Sequence, residues 1–185
     1  MGDEPKPAPS GARSVPSPSH VLYLLRHAKS SWDDPDLPDH GRPLAPQGQR
    51  AARRMAERIA RLPVQPTLVL CSSAVRALQT YEPIAAALGG GVELSVEDAL
   101  YAATSDVLLS RLQDVTNRTE VVLLIGHNPG LQELVVSLAG GGVRHALARA
   151  RAKLPPGALA VLRVQGPWAS LGPGRAYLQS LITPR

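Results

Sequence analysis

Three apolar runs in this chain each end in a polar sequence with the residue types for chemistry. Val21-Leu22-Tyr23-Leu24-Leu25 leads into Arg26-His27, Thr67 to Cys71 into Ser72-Ser73-Ala74-Val75-Arg76, and Val121 to Ile125 into Gly126-His127-Asn128. Continuous apolar runs of this kind read as strands covered on both faces. If the three strands lie parallel and adjacent, their carboxyl ends share one sheet edge, and Arg26, His27, Arg76 and His127 converge there. Two arginines and two histidines make a cage for a dianion. Guanidinium groups repel a cation, and no Cys, Asp or Glu cluster supplies further ligands, so neither a metal nor another cofactor is expected.

Such a cage suits phosphoryl transfer, whose transition state spreads charge over the equatorial oxygens. Arg26, Arg76 and His127 would donate to those oxygens. His27 can attack phosphorus in line if its imidazole is neutral and a hydrogen bond holds one ring nitrogen, leaving the other lone pair free.

Positioning these side chains takes alternating strands and helices. Ser30 to Pro46 is polar and rich in Pro and Asp and reads as a loop, and Gln47 to Leu62 as a helix with Ala52, Met55, Ile59 and Leu62 on one face. Ser72 or Ser73 would cap a helix from Ala74 to Leu88, closed by Gly89-Gly90-Gly91, in which Pro83 marks either a kink or a break near Glu82. A strand over Val92 to Val96 and a helix over Ser105 to Val115, capped by Thr104, precede the third core strand. Asn128 as N-cap with Pro129 at the first helical position opens another helix, and Gly140 to Gly142 stops it. Ala158 to Val164 and Arg175 to Ile182 read as strands, while Arg144 to Pro156 reads as a loop. The pattern predicts an α/β fold, a three-layer α/β/α sandwich with a mainly parallel central sheet.

Met1 to His20 holds five prolines and no aromatic residue. It reads as a disordered Pro/Ser-rich tail, with residues 21–185 as a single domain. His20, His40 and His145 lack catalytic context and are expected on the surface. No apolar run approaches the length of a membrane span, Cys71 has no partner for a disulfide, and nothing at the N-terminus resembles a secretory signal, which together predict a cytoplasmic protein. The net charge of +5 comes mostly from dispersed arginines, and the six aromatic residues offer little for stacking bases, so neither nucleic acid nor membrane is expected as a partner.

Other phosphate chemistries fit less well. Cysteine-based phosphatases place five residues between nucleophile and arginine, whereas four separate Cys71 from Arg76, and none of the four is glycine. No Gly-x-Ser-x-Gly elbow surrounds Ser72 or Ser73, and Gly89 to Gly91 has no following lysine to make a nucleotide loop.

The ordered motifs Leu24-Leu25-Arg26-His27-Ala28-Lys29-Ser30-Ser31-Trp32, Arg42-Pro43-Leu44, Ser72-Ser73-Ala74-Val75-Arg76-Ala77-Leu78-Gln79-Thr80 and Gly126-His127-Asn128-Pro129-Gly130 resemble the histidine phosphatase, or phosphoglycerate mutase-like, superfamily, and within it the SixA-type phosphohistidine phosphatases. The resemblance implies a phosphoglycerate mutase-like fold, His27 as nucleophile, Arg26 and Arg76 as phosphate ligands, and His127 as a donor to the transferred group. Asp98, followed three residues later by Tyr101, stands where mutase-like relatives carry a glutamate as proton donor; Glu97 is an alternative, and so is no donor at all, since a phosphohistidine leaves as an imidazole. Arg42 either lines the entrance or holds its loop; Lys29, Ser30 and Trp32 follow the nucleophile closely enough to shape the mouth.

These readings predict a metal-independent hydrolase working through a phosphohistidine intermediate on His27. Its substrate would be a histidine-phosphorylated protein. A phosphatase of small phosphorylated metabolites or nucleotides is the alternative, and a catalytically silent phosphoprotein-binding module the second. A mutase fits less well, since the chain has little sequence for a lid.

Overall fold

The computed structural model describes residues 20–184, so the expected tail lies almost wholly outside the described residues. Among these residues seven strands form one sheet: β1 (His20–Arg26), β2 (Leu68–Ser72), β3 (Glu93–Glu97), β4 (Val121–Gly126), β5 (Ala139–Gly142), β6 (Leu159–Val164) and β7 (Ala176–Ile182). Their order is β3-β2-β4-β1-β6-β7-β5, and the pairs from β3 to β1 are parallel. The pairs β1–β6 and β6–β7 are antiparallel. The sheet is therefore mainly parallel, and β2, β4 and β1 are the neighbours that the polar sequences required.

Side-chain alternation along each buried strand divides the core in two. On one face Leu22, Leu24, Val122 and Leu124 pack against α3 (Ser105–Gln113), α4 (Gly130–Leu138) and α5 (Arg144–Ala152). On the other, Tyr23, Leu25, Leu123 and Ile125 pack against α1 (Pro46–Ala60) and α2 (Val75–Leu88) through Met55, Ile59, Ala77 and Ile84. This is the three-layer sandwich.

Several local expectations change. α2 runs unbroken through Pro83, and Ala74 is its N-cap, with no side-chain cap bond. Ser72 instead accepts from Ala74 N–H at 3.3 Å. At α4 the N-cap is Pro129 rather than Asn128, whose amide donates to Gln132 and to the Leu154 carbonyl at 3.1 Å each. The glycines expected only to stop α4 form β5, parallel to β7. A Cβ on Gly140 would collide with the Gly174 backbone, so the sheet edge can close only around glycine there. Arg144–Ala152, expected as loop, is α5, anchored by the buried Ala146 and Ala150. His20, expected on the surface, is 2% exposed because β1 extends one residue further to pair with Val164 of β6. His145 is exposed, while His40 is half-buried and hydrogen-bonded to Ser73 Oγ at 2.9 Å.

No helix among the described residues is long and apolar enough to cross a membrane.

Candidate active site

The carboxyl ends of β1, β2 and β4 bring His27, Arg76 and His127 together. His27 N–H bonds the Gly126 carbonyl at 3.1 Å, carrying the β1–β4 pairing just past the strand. The next residue is locked to α2: Thr80 Oγ1 accepts from Ala28 N–H at 3.0 Å and donates to the Arg76 carbonyl at 2.6 Å. One hydroxyl therefore ties the backbone beside His27 to the helical turn that carries Arg76. Beyond it, the Lys29 carbonyl accepts from Ala45 N–H at 2.9 Å. α1 reaches that carbonyl so closely that a Cβ on Gly48 would collide with it.

The His27 ring has a defined tautomer. Nδ1 lies 2.7 Å from the Ala28 carbonyl, an acceptor only, so Nδ1 carries the proton and donates it. Nε2 is left with its lone pair, 3.4 Å from Arg76 Nε. Burial, reinforced by the charges of Arg76 and Arg26 against the opposing Ala28 bond, lowers the His27 pKa to about 4. The ring is neutral at physiological pH.

His127 packs beside it, with ring centroids 4.9 Å apart. Arg76 Nη2 donates to His127 Nδ1 at 3.3 Å, which makes Nε2 the protonated nitrogen, donating to Ser72 Oγ at 2.8 Å. Burial, then the neighbouring His27 and Arg76, lower its pKa to about 3.

A cavity of about 270 Å³ opens over this group, with Arg26, His27, Asp39, Arg42 and Arg76 in its wall. Arg26 Nη1 donates to the Leu154 carbonyl at 2.9 Å, while its buried Nε has no partner among the described residues. Arg42 both lines the cavity and holds its loop, donating to the Ser31 carbonyl, Ser30 Oγ and Asp39 Oδ1. Trp32, 77% exposed, stacks its ring on the Arg42 guanidinium with 3.1 Å from Cζ to centroid. Ser30 and Lys29 also line the cavity.

The acid at the site is one the sequence reading overlooked. Asp39 Oδ2 accepts from Arg76 Nη2 at 2.9 Å and from the Tyr101 hydroxyl at 2.7 Å. The Tyr101 bond foremost, then those from Arg76 and Arg42, hold its pKa at about 2 against the opposing effect of burial. Its only hint in the sequence was the Asp39–Arg42 spacing, which closes as an i,i+3 ion pair around a short 3₁₀ turn, Asp39–Gly41.

Asp98 is exposed on the 3₁₀ turn Asp98–Leu100 and does not line the cavity; Tyr101, at the C-cap of that turn, reaches toward the site instead. Glu97 is engaged elsewhere, paired with Arg111 at 2.9 Å and bonded by Ser95. Thr80 and Tyr101 carry no local signal of their part in the site, and Ser72, which reads locally as a helix cap, instead accepts from His127. Burial pushes the Cys71 thiol up to about 12, which leaves it inert. Among the described residues no group of three or more His, Cys, Asp or Glu could hold a metal ion.

The histidine phosphatase superfamily (branch 1) profile matches residues 22–102, a span containing the Arg26-His27 and Arg76 strand ends. An uncharacterised protein of Mycobacterium tuberculosis is 37% identical over 164 residues, covering 87% of this chain and 100% of that protein. The chain belongs to the histidine phosphatase superfamily. A structure from Nakamurella multipartitia, provisionally named a phosphohistidine phosphatase SixA, superposes with a TM-score of 0.75 at 30% identity over 91% of this chain and 98% of that one. One from Agrobacterium tumefaciens, with the same provisional name, gives 0.75 and 30% over 90% and 99%. This superfamily member is thus of the SixA type, a phosphatase with the mutase-like α/β fold.

Proposed function

We propose that this chain is a protein phosphohistidine phosphatase, with residues 21–185 as one catalytic domain and His27 Nε2 as nucleophile. The observation that carries the reading is the state of His27: neutral, its Nδ1–H given to the Ala28 carbonyl, its Nε2 lone pair beside the guanidinium of Arg76. In the first step Nε2 forms a bond to phosphorus as the substrate's P–N bond breaks. Arg26, Arg42 and Arg76 hold the phosphoryl oxygens, as planar guanidinium donors do well. His127 joins them when the charge of the bound dianion raises the basicity of the imidazole and Nδ1 takes up a proton from solvent, which it then donates to a phosphoryl oxygen. Water then attacks the phosphorylated His27, which leaves as the neutral imidazole because Nδ1 kept its proton. The proton of the attacking water goes to the phosphate released.

The acid–base state favours phosphohistidine over alkyl esters. Asp39, the one carboxylate lining the cavity among the described residues, is held ionised, and Asp98 stands outside. An alkoxide needs a proton to leave, whereas a phosphohistidine protonated at its other ring nitrogen departs as neutral imidazole.

The test is hydrolysis of p-nitrophenyl phosphate and of a histidine-phosphorylated protein side by side in EDTA, with His27→Ala as control. The expected result is turnover in EDTA, a higher kcat/KM on the phosphoprotein, and a loss of at least about 10³-fold in the variant. Preference for small esters would move the assignment to a metabolite phosphatase, and no turnover of either would leave a binding module.

A further inference from the structure

A second cavity, about 790 Å³, adjoins the one over His27, and the two share Lys29 and Pro156. α1 supplies Arg54, the last turn of α5 supplies Arg149, and Lys153 follows at the C-cap of that helix. With Lys29 these make four cationic side chains, and no acidic side chain among the described residues lines the cavity. Neither lysine ammonium has an ion pair or hydrogen bond among the described residues. Arg54 uses only Nε, donating to the Pro184 carbonyl at 2.8 Å. Arg149 makes two long contacts, 3.3 Å to the Leu181 carbonyl and 3.4 Å to Thr183 Oγ1. All four side chains are exposed, so water and salt screen their mutual repulsion, and what they offer is a local positive potential that an anion would complement.

We propose that this cavity is an anion subsite, binding a second anionic group carried on the same substrate molecule whose phosphoryl group reaches His27. The inference rests on the His27 cavity being the site of phosphoryl transfer. Lys29 and Pro156 stand in both walls, so the two cavities adjoin, and one extended polyanionic molecule would reach from the first to the second. A second phosphate on a small molecule and the acidic side chains flanking a phosphohistidine offer the same chemistry, oxyanions to Lys and Arg.

The double variant Arg54→Gln/Lys153→Gln separates these cases, since both residues lie outside the His27 cavity. kcat and KM are measured on p-nitrophenyl phosphate, on a hexose bisphosphate, and on two histidine-phosphorylated peptides, one flanked by glutamates and one by glutamines. The expected result is unchanged p-nitrophenyl phosphate turnover with about a tenfold rise in KM, at constant kcat, for a substrate carrying the second anion. Loss confined to the bisphosphate identifies a small-molecule phosphate as the second anion, and loss confined to the glutamate peptide identifies a protein. A uniform change on all four, or none on any, overturns the subsite. Absence of turnover by the unaltered protein on every substrate would sink the phosphatase reading itself, and the subsite with it.

Discussion

Arg76 grips Asp39 twice, donating from Nη1 to its carbonyl at 2.5 Å and from Nη2 to its carboxylate at 2.9 Å. The carboxylate is half exposed and also takes Arg42. Without substrate, an internal anion thus occupies two of the guanidinium groups best placed to receive a phosphoryl group, and binding must displace it.

Replacing Asp39 with asparagine keeps the shape and removes the competing charge. Asp39→Asn is expected to lower the inhibition constant of inorganic phosphate severalfold, roughly three- to tenfold. The measurement is competitive inhibition of p-nitrophenyl phosphate hydrolysis; a weaker phosphate inhibition would show that Asp39 orders Arg76 rather than competing for it.

Asp98 stands outside the cavity, so Asp98→Asn is expected to leave kcat on an alkyl ester such as glycerol 3-phosphate and on a histidine-phosphorylated protein within about twofold of the unaltered chain. A selective loss on the ester would restore Asp98 as proton donor and require the 98–101 turn to move on binding.

The Thr80 hydroxyl serves Ala28 and Arg76 at once. Thr80→Val leaves the Ala28 N–H buried without a partner, at a cost of about 1–3 kcal/mol in chemical denaturation. Because that bond also sets where His27 stands relative to Arg76, kcat should fall about tenfold with little change in KM. Thr80→Ser should recover both; a loss of stability with kcat intact would confine Thr80 to a structural part.

Both site histidines are neutral in the fold, with pKa values of about 4 for His27 and about 3 for His127. Unfolded, each would titrate near 6.5. The unfolded chain therefore binds more protons below that pH, and stability must fall on acidification. The loss begins near pH 6.5 and ends for each histidine at its folded pKa, approaching about 1.4 kcal/mol per pH unit per histidine. Thermal unfolding at pH 7 and pH 5 measures the loss, and ring proton resonances report the cause. Ring signals that titrate near 6.5 would show charged imidazoles and remove the basis for His27 as a neutral nucleophile.

Much of this arrangement could be read from the chain alone. The buried runs 21–25 and 121–125 are apolar throughout because both sheet faces are covered, so their strand character is local, and the polar residues that follow necessarily fall at a sheet edge. The four cage residues announced themselves in the same way, by standing just after such runs. Elements whose character depends on distant partners were hidden. The glycines of β5 read as a helix stop because nothing local distinguishes a cap from an edge strand that needs β7 beside it. α5 read as a loop because only packing against the core singles out Ala146 and Ala150 among its arginines. Asp39 sits 37 residues from Arg76 and 62 from Tyr101. Which of several loop aspartates meets that arginine depends on how the segment 30–46 folds back over the sheet edge, and on the crowding that lets α1 approach Lys29 only at Gly48. Residue types set the chemistry available at the strand ends. Three-dimensional packing chose which carboxylate enters, which tautomer each histidine adopts, and which charges are left facing water, because these depend on contacts between segments that no local pattern encodes.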